Sequence, residues 1–394
     1  MKKGWQTKTL GEICDIERGG SPRPIQNFIT TDTNGINWIK IGDATASGKY
    51  IYKTEEKIKP DGVKRSRMVY EGDFILSNSM SFGRPYIMKT TGCIHDGWLV
   101  LHQPKVDPDY LYHVLGSDLV FSQFDRLAAG STVRNLNIGL AKSVEIPIPP
   151  LAEQQRIVGI LDEAFEGIAT AKANAEKNLQ NARAIFESHL QSVFAQRGPG
   201  WAEKKLGKLS KISYGYTESA CAEQVGPKFL RITDIQDNCV DWAIVPYCPI
   251  AASDFQKYKL AEGDIVFART GATTGKSYLI TAPPDAVFAS YLIRVQLYAK
   301  ELLPPFLFFY FQTQSYWENI KSGSSGSAQG GFNATKLGEL VIPYPKLMQQ
   351  QIIIAKLNEL TEETQRLGSI YQQKLAALEA LKKSLLNQAF TGEL

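Results

Sequence analysis

Residues 146–157 read IPIPPLAEQQRI, and residues 342–353 read IPYPKLMQQQII, at an offset of 196. Each stretch passes from a proline-broken apolar run into a tract with almost no glycine or proline, opened by Leu151 or Leu347. In the first tract apolar residues recur at threes and fours: Ile157, Ile160, Leu161, Ala164, Phe165, Ile168, then Leu179, Ala182, Ile185, Phe186, Leu190 and Val193. The second repeats the spacing with Ile353, Leu357, Leu360, Thr364, Leu367, Tyr371, Leu375, Leu378, Leu381 and Leu385. Such heptad-like spacing predicts two helices of roughly 45 residues, about 65–70 Å long at ~1.5 Å per residue. A lone helix would leave its apolar stripe in water, so each needs cover, and its twin in the same chain can supply it as a coiled coil. The spacing alone allows a parallel or an antiparallel pair.

Working outward, the rest of the chain is also written twice. Gly4-Trp5 and Leu10-Gly11 return as Gly200-Trp201 and Leu206-Gly207. Glu71-Gly72-Asp73 returns as Glu262-Gly263-Asp264, and Ser188, Leu190 and Phe194 return as Ser384, Leu386 and Phe390. A repeat this long is a domain with its own core, not a stacking module. The predicted organisation is a globular domain over 1–150, a long helix over 151–198, a second globular domain over 199–346 and a second long helix over 347–394. The globular parts mix β-branched runs (INWIKI at 36–41, FLRITDI at 229–235) with helices opened by proline at Pro108 and Pro304. The fold class is therefore α+β with an internal repeat, and Arg197-Gly198-Pro199-Gly200 stops the first long helix.

Composition narrows the function classes. The chain has 394 residues, is 43% hydrophobic and 21% charged, and carries a net charge of +4, which permits nucleic-acid binding without demanding it. Cys14, Cys93, Cys221, Cys239 and Cys248 are scattered with no CxxC, so neither a disulfide framework nor a zinc site is expected, and a reducing cytoplasm fits. The most apolar window, 302–311, is short and broken by proline, so no membrane association is expected. Four dispersed histidines argue against a metal centre, and no Ser/His/Asp constellation or GxGxxG recurs in both copies.

One stretch imitates a phosphate-binding loop: DIVFARTGATTGKSYLI at 264–280. The first copy acts as its control, with DFILSNSMSFGRPYIM at 73–88. There Pro85 stands where such a loop needs Ser or Thr, and both copies continue as strand rather than helix. What the copies share is a strand, a small polar loop, a cation, a tyrosine and another strand. Such a tip can carry phosphate and base-edge contacts. It nominates Asn78, Ser81, Arg84 and Tyr86 in the first copy, and Arg269, Thr270, Thr274, Lys276 and Tyr278 in the second. Arg23 in GGSPRP at 19–24 is a further candidate, as are Ser131, Arg134 and Asn135 in AAGSTVRNLN at 128–137, and Ser325 in SGSSGSAQGGFN at 322–333. Lys40 and Arg231 align as a cation in a strand of each copy. Each has a plainer reading beside it: a solvated hairpin tip, a flexible linker, a solvent-facing strand residue. The EGD triplets read as turns; the alternative is a hidden acid pair for a nuclease.

Two unlike mixed domains, each followed by IPIPPLAEQQRI or IPYPKLMQQQII and a long helix, with LLNQAFTGEL at the C-terminus, resemble the specificity subunit of type I restriction-modification enzymes. The resemblance covers essentially the whole chain. It implies two target recognition domains, each reading one half of a split, asymmetric sequence in double-stranded DNA. It also implies an antiparallel coiled coil that sets the spacer, with pseudo-twofold symmetry. Two methyltransferase subunits and the restriction/translocase subunits would be the partners. The chain itself would be non-catalytic and hold no cofactor or metal, with S-adenosylmethionine, ATP and Mg on the partners. DNA contacts would lie at the tips 78–86 and 269–278 and in the loops 130–135 and 325–333. The competing reading is a paired-domain adaptor that binds proteins, also non-catalytic and also spaced by the coiled coil.

Overall fold

The computed structural model describes residues 3–78, 83–128, 136–236, 238–324 and 331–394, with the side chain of Ala128 left aside. The chain divides into two compact units: Met1–Glu176 with Gln372–Leu394, and Lys177–Tyr371. Each unit thus holds one globular domain, the N-terminal half of the helix that follows it, and the C-terminal half of the other long helix.

In unit 1 the strand Gln6–Thr9 pairs antiparallel with Glu145–Ile148, so the junction peptide is pinned to the chain start. Unit 2 repeats this with Ala202–Lys205 on Val341–Tyr344. Pro147 and Pro343 are tolerated because each two-stranded sheet leaves its proline strand an edge. The main sheet of unit 1 has the order Asp15–Arg18, Trp98–His102, Phe74–Ser77, Pro85–Met88, Tyr50–Ile51. Unit 2 keeps the first four places as Ser210–Tyr214, Leu292–Leu297, Ile265–Ala268 and Ser277–Leu279. A second five-stranded sheet in unit 1 is built around the parallel pair Ile36–Ile39 and Gly92–Ile94. In unit 2 the parallel pair Lys228–Leu230 and Ala286–Phe288 stands as a separate two-stranded sheet.

The long helices span Leu151–Ala195 and Leu347–Thr391, 45 residues each. In unit 1 Arg156 Nη2 donates to the Leu394 carbonyl at 2.7 Å, and Lys172 Nζ meets Glu379 at 2.7 Å. Residue numbers rise on one helix as they fall on the other, so the pair is antiparallel. In unit 2 Leu190 and Phe194 share a core with Ile353 and Leu357, while Gly368 lies against Leu179, again antiparallel. Of the two packings that the spacing allows, this is the one adopted.

The helices complete the domain cores rather than standing apart from them. In unit 1 Ile157, Leu161, Leu386, Ala389 and Phe390 are buried with Tyr110, Leu111 and Phe124. Phe390 meets Tyr110 edge-on at 5.6 Å, and Phe194 meets Phe306 at 5.1 Å at the same place in unit 2. Each such ring contributes roughly 1.5–3 kcal/mol by burial. Pro108 and Pro304 begin helices Pro108–Leu115 and Pro304–Tyr310.

The junction glutamines close this arrangement. Gln154 and Gln350 are buried. Gln154 Oε1 accepts from the Asp107 amide at 2.9 Å, and Nε2 donates to the Pro149 carbonyl at 2.8 Å. Gln350 Oε1 accepts from the Leu303 amide at 2.9 Å, while Nε2 donates to the carbonyls of Pro345 at 2.8 Å and Glu301 at 2.7 Å. One side chain thereby fixes the start of a long helix against the segment that enters the proline-opened helix.

Candidate nucleic-acid interface

The strands Phe74–Ser77 and Pro85–Met88 form an antiparallel hairpin, matched in unit 2 by Ile265–Ala268 and Ser277–Leu279. Each hairpin is closed by the same backbone bond, Gly83 to the Ser77 carbonyl and Gly275 to the Ala268 carbonyl, both at 2.9 Å. Only glycine suits these two positions. Gly83 has φ +73° and Gly275 φ +96°, and a Cβ would sit 2.8 Å from the Phe124 ring or 2.7 Å from Trp317.

The residue at the strand end then holds the stem of the Gly/Ser loop. The Leu136 amide donates to the Asn78 carbonyl at 3.2 Å, and the Phe332 amide donates to the Arg269 carbonyl at 2.9 Å. Tip and loop stem, nominated separately from the sequence, are thus neighbours in both units. Ser81, Ser131, Arg134, Asn135 and Ser325 lie outside the described residues.

The side chains carried by this common scaffold differ between units. Asn78 is buried and its Nδ2 donates to the Asp96 carbonyl at 2.9 Å. Arg269 is half-buried, its guanidinium 5.0 Å from the Tyr214 ring, and its Nε is buried with no hydrogen-bond partner among the described residues. Arg84 is exposed, 5.3 Å from the Tyr86 ring, whereas Lys276 Nζ donates to the Ile235 carbonyl at 2.7 Å. Tyr86 and Tyr278 are buried and pack in the cores behind the tips. Thr274 Oγ1 donates to the Gly271 carbonyl at 2.8 Å, and Thr270 stands before the short turn Gly271–Thr273 without a side-chain capping bond to it. The strand Ser277–Leu279 follows that loop, where a phosphate-binding loop would continue as a helix.

The remaining nominated cations are placed by carboxylates. Arg23 pairs with Asp96 at 3.1 Å. Asp96 is a hub: it also accepts from Ser21 Oγ at 2.6 Å, a bond that, against the opposing pull of burial, holds its carboxyl below the ordinary value. Lys40 and Arg231 stand just after their strands rather than within them, at the N-caps of Ile41–Ala46 and Ile232–Asp234. The backbone amide of each donates to an aspartate three residues on, Asp43 or Asp234, at 2.8 Å. Lys40 Nζ also binds Glu56 at 2.8 Å, a bond that raises its pKa, and Arg231 grips Asp234 with Nε and Nη2.

The EGD aspartates are buried turn clamps. Asp73 Oδ2 accepts from the Tyr70 amide at 2.8 Å and Asp264 Oδ2 from the Ala261 amide at 3.0 Å. Among the described residues no group of three or more His, Cys, Asp or Glu side chains is arranged to hold a metal ion. No helix there is long and apolar enough to cross a membrane.

The signal for several of these residues was present but unread: Lys-x-x-Asp and Arg-x-x-Asp at 40–43 and 231–234 have the spacing of a capping box. Asp96 and Tyr214 gave no such signal, because their partners are distant in the chain.

The family model described as the type I restriction modification DNA specificity domain matches residues 2–180 and again 199–379. The chain is 24% identical to the EcoKI specificity subunit of Escherichia coli K12, over the whole of this chain and 90% of that one. It is 22% identical to the MjaVIII specificity subunit of Methanocaldococcus jannaschii, over all of this chain and 94% of that one. Among solved structures, a chain from a type I R-M system superposes with a TM-score of 0.83 at 20% identity, covering 100% and 99% of the two chains. The HsdS subunit of Thermoanaerobacter tengcongensis superposes at 0.61 and 19%, covering 100% and 98%. With its model matched once in each half of the chain and its fold shared along the full length, the protein belongs to the type I restriction-modification DNA specificity family.

Proposed function

We propose that each unit reads one half of a split, asymmetric duplex target, and that the chain does so without catalytic residues of its own. As a member of its family it carries the DNA sequence specificity of a type I restriction-modification system. The observation that carries the finer reading is one scaffold with two sets of tip side chains. The same hairpin bond, the same glycine and the same tip-to-stem bond recur, yet Asn78 faces Arg269 across the alignment and Arg84 faces Lys276. Identical scaffolding with unlike polar ends is what two readers of unlike half-sites require. Arg269, half-buried with its guanidinium 5.0 Å from the Tyr214 ring, is the residue type that suits a bidentate contact to guanine.

The further parts of the assembly belong to the same proposal: two methyltransferase subunits, restriction/translocase subunits, a cytoplasmic setting, and S-adenosylmethionine, ATP and Mg held by partners. The test is to map methylated positions in cells carrying the wild-type chain or Arg269→Ala. Relaxed sequence preference in one half-site, with the other half unchanged, is expected. Equal relaxation in both halves would contradict two independent readers.

A further inference from the structure

Unit 1 contains a cavity of about 530 Å³ between the tip hairpin and the long helices. Three cations line it, Lys49, Arg84 and Lys382, against one carboxylate, Asp162. Asp162 is engaged by His113 at 2.8 Å, and Lys49 by Asp109 at 2.5 Å. Arg84 and Lys382 have ring faces beside them instead: Arg84 lies 5.3 Å from Tyr86 and Lys382 Nζ 5.0 Å from Phe165. Both are exposed. Ring faces hold a cation in place while leaving its hydrogen-bond donors available to an anion.

Unit 2 lacks this arrangement. Phe186 stands where unit 1 has Lys382, Phe309 where it has His113, and these two rings lie 6.4 Å apart. Lys276, the counterpart of Arg84, donates a hydrogen bond to the Ile235 carbonyl.

We infer that Arg84 and Lys382 clamp a backbone phosphate of the half-site read by unit 1, so that a long helix takes part in DNA binding there. The clamp rests on the reading of unit 1 as a half-site reader and adds a contact that carries no sequence information. It makes the two halves of the target electrostatically unequal.

The test measures duplex binding by the full chain with its methyltransferase subunits, for wild type and Lys382→Ala, between 50 and 200 mM salt. Loss of one phosphate contact reduces the slope of log K against log salt by about 0.9, so the wild-type advantage shrinks about threefold across that range. A single methylphosphonate at the clamped phosphate, found by scanning the first half-site, should weaken wild type most, Lys382→Ala less because Arg84 remains, and leave the Arg84→Ala/Lys382→Ala double variant unaffected. Parallel salt slopes, or a methylphosphonate response confined to the second half-site, would overturn the clamp. Inorganic phosphate is the control for a free-anion site: stabilisation of wild type but not of the variant would also overturn it. Failure of wild type to prefer its target over random duplex would instead reject the half-site reading.

Discussion

The buried junction glutamines yield the sharpest test of how the scaffold is held. Methionine is close to glutamine in volume but offers nothing to a backbone amide or carbonyl. Gln154→Met strands the Asp107 amide and the Pro149 carbonyl; Gln350→Met strands the Leu303 amide and the carbonyls of Pro345 and Glu301. Each backbone group left unpaired away from water costs roughly 1–3 kcal/mol, discounted where solvent can reach it. Gln154 thus stands for roughly 2–4 kcal/mol and Gln350, with one more carbonyl, for roughly 3–5 kcal/mol. Urea denaturation of the full chain gives the change in stability, and hydrogen exchange at the Asp107 and Leu303 amides reports the sites directly. Both amides should lose protection, and Gln350→Met should destabilise more than Gln154→Met. Losses below about 0.5 kcal/mol for both, or the reverse order, would refute the clamp and leave the motif as a helix-start preference only.

Gly275→Ala should destabilise unit 2 by about 2–3 kcal/mol, because alanine is strained at φ +96° and its Cβ meets the Trp317 ring; thermal melting checks this, and a neutral outcome would reject the turn argument. Burial pulls the His113 pKa below the ordinary imidazole value of 6.5 despite the Asp162 bond. The unfolded chain then binds that proton first, so stability is lost as pH falls through the unfolded value. His113→Phe, which installs the residue that unit 2 carries as Phe309, should flatten the difference between urea midpoints at pH 7.5 and 5.5; an unchanged difference would assign the loss elsewhere. Under the spacer role that the family resemblance implies for the long helices, inserting one heptad into each should lengthen the gap between the methylated half-sites by about three base pairs and leave the bases read unchanged. Methylome mapping would expose altered half-sites, which would sink that role.

The long helices and the repeat were legible because their signals are periodic and local. The EGD turns were legible too, since the aspartate answers an amide three residues back. What escaped was long-range. Nothing around Asp96 announces that Ser21, Arg23 and Asn78 all converge on it. The five-stranded second sheet of unit 1 depends on strands scattered from 29 to 94, each too short to read alone. At the tips the pattern cation-x-tyrosine was visible, but Tyr86 and Tyr278 are drawn into the cores, while Arg84 stays exposed just before its strand and Lys276 turns to the Ile235 carbonyl. The shared Leu-x-x-Gln-Gln pattern was read as the start of a helix; that its glutamine holds a different segment required the tertiary structure.

Because each compact unit is completed by a helix half from the other copy, neither copy alone encodes a finished body. A fragment ending near residue 198 would miss Leu386, Ala389 and Phe390, yet it carries Leu190, Val193 and Phe194 at the same places of its own helix. Two such fragments can each lend the other what it lacks, as exchanged segments do in a swapped homodimer. The chain carries both sides of that exchange in one polypeptide, so its two halves need not be alike in sequence.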